Sequence, residues 1–273
     1  MKSHYLTKAL AYIVLSLLAV FALVPIVAGA ITAVKPALIW VASPPVWTFT
    51  PTLANFQHVL GHMGHLNNLR NSIIVATSTV LIALLLGAPA AYAFTRFTFK
   101  GSQPLLSWLI SLRMIPPIVV GLPFYFLFYT LGLKDTYAGV ILAYLSFSIP
   151  LAIWIMRGYF AELPPDMEES AMVDGCGRLD ALRRVVLPQI LPGIVATGLL
   201  VFIFAWNEFL LALILTGRDT QTLPVAAGTY VGRVQVQWGY LFATNMIIMV
   251  PVIVLAIVLQ RHLVRGLSFG MID

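Results

Sequence analysis

Six of the ten acidic residues in this chain, Glu162, Asp166, Glu168, Glu169, Asp174 and Asp180, fall within Glu162–Pro188, although charged residues make up only 10% of it. Arg178, Arg183 and Arg184 give the same stretch a basic second half. Long apolar runs flank it, so it reads as a water-exposed loop between two membrane spans. Charge gathered in one such loop suits the docking of a soluble partner through charge-assisted hydrogen bonds. A second set of polar residues lies inside apolar runs, where polar groups are costly and point to function. These are Arg113, Asn207, Glu208 and Asn245. A third set, His58, His62 and His65, has the spacing of ligands on one helix face. No Cys, Asp or Glu lies nearby to complete a metal site, and Gly61 and Gly64 interrupt a helix there, so a solvated turn is expected.

Catalytic signatures are missing: there is no GxxxxGK phosphate loop, no HExxH and no GxSxG. The chain is therefore not expected to be an enzyme. If it moves something across a membrane, it uses an ion gradient or ATP hydrolysis by a partner. An ion-coupled carrier needs a carboxylate within the membrane, and Glu208 is the one available. That alternative leaves the charged loop without a purpose.

Elements follow from composition. Hydrophobic residues make up 60% of the sequence, and the mean hydropathy is +0.94, outside the range of soluble domains. Six stretches reach the roughly 20 apolar residues a spanning helix needs: Ala9–Val34, Leu69–Thr95, Pro104–Leu131, Tyr137–Phe160, Gln189–Thr216 and Tyr240–Gln260. They fill the chain and predict an all-α, single membrane domain over residues 1–273. The first run, with Lys2, Lys8 and the small residues Ala28-Gly29-Ala30, imitates a cleavable signal, but it is longer than a signal core and is read as a span.

Basic residues favour the cytoplasmic side. With the N-terminus inside, the inner segments carry Lys2, Lys8, Arg96, Lys100, Arg157, Arg178, Arg183, Arg184, Arg261 and Arg265, against Lys35, Arg70, Lys134, Arg218 and Arg233 outside. Both termini and the 162–188 loop are thus cytoplasmic. The formal charge of +6 reflects this bias and implies no nucleic acid. The single Cys176 cannot form an intramolecular disulfide. In the outer segment 35–68, prolines predict irregular chain over the membrane surface, with Trp40 and Trp47 in the interfacial belt.

The loop itself predicts two short helices. Leu163-Pro164-Pro165-Asp166 suits a helix start, with Asp166, Glu168 and Glu169 at the positive end of its dipole. That helix runs to about Val173, and Asp174-Gly175-Cys176-Gly177 breaks it. A second helix spans roughly Leu179–Val186. Small Ser170 and Ala171 leave a face that a partner can approach.

The run Glu169-Ser170-Ala171-x3-Gly175-x9-Val185-x-Leu187-Pro188 resembles the E-A-A-x3-G-x9-I-x-L-P loop of ABC-importer permeases, with Ser170 for alanine and Val185 for isoleucine. Asn71-Ser72, Ala91-Tyr92-Ala93-Phe94-x-Arg96, Met114-Ile115-Pro116-Pro117, Trp206-Asn207-Glu208-Phe209 and Gly266-Leu267-x3-Met271 are similar to its carbohydrate branch, the smaller permease of maltose-type transporters. The resemblance implies a type I importer permease in a bacterial inner membrane, working by alternating access. It implies a second, different permease chain, two cytoplasmic ATPase subunits that hold ATP and Mg, and an extracytoplasmic solute-binding protein. This chain itself would bind no cofactor.

The implied ATPase-docking residues are Glu168, Glu169, Ala171, Asp174, Gly175, Leu187 and Pro188. Along the fifth span Asn207 lies about 6 Å outward of a midpoint near Ile203, and along the sixth Asn245 lies about 7 Å outward of Val250. Tyr125, Trp206, Asn207, Glu208 and Asn245 thus form an expected solute path, with aromatic faces for a sugar; hydrogen bonding between helices explains the same polar residues equally well. Arg113 is expected to snorkel to the cytoplasmic interface or to pair with an acid of the partner. The outer loop 217–239 is expected to reach the binding protein through Thr220, Gln221, Tyr230 and Gln235, with Pro224, Gly228 and Gly232 preventing one continuous helix.

Overall fold

A computed structural model describes residues 2–61, 65–232 and 235–268. His62, Gly64, Arg233 and Met271 lie outside the described residues. Among those described, the regular structure is helical apart from an isolated bridge between Val231 and Val236. The chain divides into two compact units, Met1–Leu66 with Ala226–Val250 and Asn67–Val225 with Pro251–Asp273.

In the first unit, α1 (Lys2–Ala33) is exposed over nearly all of Leu10–Ala28, as a lipid-facing helix requires. Its end is fixed by α2 (Ala54–Gly61): buried Asn55 donates to the carbonyls of Ala33 and Lys35 at 2.7 and 2.8 Å. This satisfies carbonyls that a helix end leaves without partners. Ala33, Val59, Tyr230 and Ala243 form the core. His58 stacks on Tyr240 with ring centres 4.1 Å apart, and Trp40 meets the same ring edge-on.

The second unit holds most of α3 (His65–Arg96), followed by α4 (Ser102–Ser111), α5 (Pro117–Thr130) and α6 (Tyr137–Glu162). The cytoplasmic loop forms α7 (Asp166–Val173), then α8 (Arg178–Ala181), a π-turn over Leu182–Val186 and α9 (Leu187–Gln189). α10 (Leu191–Trp206), α11 (Leu210–Leu215) and α12 (Leu223–Gly228) follow. The final helix, α13 (Trp238–Ser268), belongs by sequence to both units. α6 is the best-buried span, and Ala83, Leu145, Ala152 and Val201 pack α3, α6 and α10 together. Small residues at such contacts let helix backbones approach, the usual basis of packing in lipid. The Thr136 side chain caps α6 by accepting from Gly139 N at 3.1 Å.

Among the described residues, four helices are long and apolar enough to cross a membrane unbroken, and up to six spans result when two bent helix pairs are counted. Two of the expected spans are broken helices. Pro104–Leu131 is not one helix: it bends by 96° between Met114 and Pro117, because Ile115 is extended ahead of Pro116-Pro117. Gln189–Thr216 begins at Leu191 after a 76° bend, ends as a helix at Trp206, and restarts only at Leu210. Glu208 makes the restart possible by accepting from Leu211 N at 3.0 Å.

Candidate functional site: a cytoplasmic helix, a cavity within the spans and an outer clasp

α7 starts and stops where its residue types dictate. Pro165 precedes it, three acids occupy its first turn, and Gly175 ends it at φ +91°, the left-handed conformation that glycine adopts without strain. Cys176 N returns to Ala171 O at 3.0 Å, which closes the turn. Glu169, Ser170, Val173, Asp174 and Leu179 are exposed, with Val173 87% accessible. Ala171 and Leu187 are half-buried, and Gly175 and Pro188 are exposed. An apolar side chain left this open beside carboxylates suits a surface made to be covered.

Glu168 departs from that face. Its side chain is buried, accepting from Tyr92 Oη at 2.7 Å and pairing with Arg96 Nε at 2.6 Å. Arg96 also donates to Leu163 O at 2.8 Å. The expectation that Glu168 contacts a docked partner is therefore corrected: one turn of helix points this carboxylate inward, where it ties α7 to the inner end of α3. The ring of Phe97 beneath the Arg178 guanidinium, 5.1 Å away, adds a second tie. The exposed Arg184–Asp180 pair at 3.8 Å contributes little, as surface pairs do.

Within the spans, Arg113, Tyr144, Ser148, Phe204 and Glu208 line a half-open cavity of about 200 Å³. Arg113 is half-buried. Its guanidinium sits 4.7 Å from the centre of the Phe204 ring and 3.4 Å from the carbonyl of Phe147. Phe147 is near the middle of the 26-residue α6, and Phe204 adjoins the expected midpoint of the fifth span. The guanidinium is thus held by an aromatic face and a carbonyl. Tyr144 donates to Glu208 O at 3.2 Å, which holds the break between α10 and α11 against α6.

The other expected path residues are not among those that line this cavity. Trp206 is buried and stacked on Phe202. Asn207 is exposed, with its amide bonded to Ile203 O at 2.8 Å. Tyr125 pairs with Lys134, whose ammonium lies over its ring at 4.6 Å. Asn245 is half-buried in α13 and belongs to the other unit.

On the outer side, Asp135 organises the loop after α11. It accepts from Gly217 N at 2.7 Å, Asp219 N at 3.3 Å, and the Thr220 amide and hydroxyl at 3.1 and 2.7 Å. Burial alone would raise the pKa of its carboxyl, but these hydrogen bonds outweigh it and hold the group below its ordinary value. A Cβ on Gly217 would lie 2.4 Å from the Asp135 carboxylate, so only glycine fits there. Asn71 donates to the carbonyls of Asp219 and Gln221 at 3.0 Å each, and Ser72 accepts from Leu223 N at 2.8 Å. Two expected binding-protein contacts are therefore corrected. Thr220 is buried against Asp135, and Tyr230 is buried with its hydroxyl 2.8 Å from His65 Nε2. Gln235 is exposed and Gln221 partly so.

Sequence reasoning named Tyr92, Arg96 and Asn71 within motifs but assigned them no role, and it passed over Asp135. Among the described residues, no group of three or more His, Cys, Asp or Glu could hold a metal ion. His58 and His65 are committed to aromatic partners.

A helical chain of spans with a cytoplasmic coupling loop is the architecture of an importer permease. Residues 83–269 match the family described as binding-protein-dependent transport system inner membrane component, and the chain belongs to that family. It is 38% identical over 230 residues to a probable ABC transporter permease protein, y4oR, of Sinorhizobium fredii, covering 84% of this chain and 83% of that one. It is also 38% identical over 224 residues to the trehalose transport system permease protein SugB of Mycobacterium tuberculosis, covering 81% and 82%. The fold is that of a bacterial ABC transporter involved in the import of the acidic polysaccharide alginate, with a TM-score of 0.74 at 21% identity over 96% of this chain and 98% of that one. The chain is a multi-pass inner-membrane component of a binding-protein-dependent system, and nothing supports the ion-coupled alternative.

Proposed function

We propose that the chain is one permease half of an ATP-driven importer for a sugar or sugar-like solute, its 273 residues acting as one membrane domain. Two cytoplasmic ATPase subunits that hold ATP and Mg dock on α7, a different homologous permease completes the path, and an extracytoplasmic binding protein delivers the solute. The observation that carries the reading is α7 itself: Glu169, Ser170 and Asp174 exposed on one side, Glu168 clasped into α3 on the other. A push on the exposed side reaches the spans through that clasp. The solute passes the Glu208 cavity, and similarity to a trehalose permease supports a sugar as cargo.

Affinity purification of the tagged chain from its native membrane tests this. An ATPase subunit and a second permease sequence should co-purify, and Glu169→Arg should release the ATPase while retaining the second permease. Recovery of this chain paired only with itself would exclude the heterodimer. Recovery without any ATPase would exclude the ATP-driven reading.

A further inference from the structure

The cavity beside Glu208 holds two opposite charges that do not meet. Among the described residues, the ion pairs within 4.0 Å are Arg96–Glu168 and Arg184–Asp180, and none joins Arg113 to Glu208. Arg113 offers only donors, and of these one reaches Phe147 O at a long 3.4 Å. Glu208 offers acceptors, with Oε1 engaged by Leu211 N. The Ser148 hydroxyl on the same wall both gives and takes. Both charges are half-buried, and taking a charge partly out of water without a full set of partners is costly, so what fills this space should satisfy both ends.

We propose that this cavity selects an uncharged, polyhydroxylated solute and discriminates against anionic and cationic sugar derivatives; the proposal rests on the reading that the solute passes here. A hydroxyl group accepts from a guanidinium and donates to a carboxylate at once, so neighbouring hydroxyls bridge Arg113 and Glu208 with no charge left over. A phosphate, sulfonate or uronate drawn to Arg113 faces the Glu208 carboxylate across the same small cavity and is repelled by it. An amino sugar drawn to Glu208 meets Arg113 in the same way. The guanidinium already covers the Phe204 face, which fixes its position.

The assembled importer carrying Ser148→Cys on a Cys176→Ser background places a thiol in the cavity, and Ile115→Cys, on the same lining, serves if the first variant assembles poorly. The probes are sulfonatoethyl and trimethylammonioethyl methanethiosulfonate, the anionic and cationic forms of one reagent, with labelling followed by mass spectrometry. Each rate is divided by that of the same reagent with a free thiol. The two ratios should agree within a few-fold. Glu208→Gln should speed only the anionic reagent and Arg113→Gln only the cationic one, each on the order of tenfold, the effect of a unit charge about 10 Å away at an effective dielectric near 20. A strong preference for either reagent in the parent protein overturns the proposal. Uptake by the two charge variants reports separately on the path. Native uptake in both, with the labelling pattern intact, removes the solute-path reading and leaves the charge balance standing.

Discussion

Glu168 Oε1 lies 2.6 Å from Arg96 Nε, so the second acid of the charged cytoplasmic helix is spent on the end of a membrane span and not on the surface. Both side chains are about nine-tenths buried, at 8% and 11% accessibility, and Tyr92 closes the carboxylate's other oxygen. Removing one partner of such a pair leaves a charge buried without compensation, at a cost of about 3–5 kcal/mol. Arg96→Ala should therefore lower the melting temperature of the purified complex and abolish binding-protein-stimulated hydrolysis. Tyr92→Phe should cost about 1–3 kcal/mol, because the carboxylate keeps its cation and loses one hydrogen bond. Native coupling in Arg96→Ala would show that α7 transmits its motion by another route.

Gly175 adopts φ +91°, and nothing lies within 4 Å of where its Cβ would be. Gly175→Ala should cost about 1–2 kcal/mol from left-handed strain alone and leave coupling largely intact. Gly175→Arg adds bulk on the exposed face, and should release or uncouple the ATPase while membrane insertion is unchanged. If both variants couple equally well, the close approach of a partner at this turn is disproved.

Asp135 gives the outer loop a pH dependence of definite sign. Its carboxyl pKa is depressed in the folded state, so its contribution is present above the unfolded value of about 4 and is lost as pH falls through the lower folded one. Melting of the native complex should drop more steeply below about pH 4 than that of Asp135→Asn, and the two curves should converge in acid. Parallel curves down to the lowest pH would contradict the assignment.

The buried and exposed residues of the outer loop should behave differently. Thr220→Val removes a hydroxyl from the Asp135 carboxylate and should cost about 1.5–3 kcal/mol of stability, the worth of a hydrogen bond to a charged group. Gln235→Arg, on an exposed site, should leave melting unchanged and reduce stimulation of hydrolysis by the binding protein. A destabilised Gln235→Arg with normal stimulation would reverse the assignment of the loop's outer contact.

The sequence alone determined what depends on composition and local chemistry. Apolar runs long enough to span a bilayer, basic residues on one side, and a proline-led, acid-rich helix ended by glycine are legible because each arises from neighbours in the chain. α7 at Asp166–Val173 and the left-handed Gly175 follow directly from such signals. Tertiary structure decided which way each polar side chain points. Glu168 and Glu169 are adjacent acids with no local sign to separate them, yet contact with Tyr92 and Arg96, more than 70 residues away in sequence, buries the first and leaves the second exposed. Thr220 reads as loop polarity until Asp135, 85 positions earlier, claims its hydroxyl. The apolar run 104–131 reads as one span, but the packed helices turn the chain by 96° at Pro116-Pro117 and set Arg113 against Phe204 and Phe147. Hydropathy is a sum along the chain and carries no term for contacts between distant segments. In lipid, those contacts decide whether a polar residue binds a neighbour, a partner or a solute.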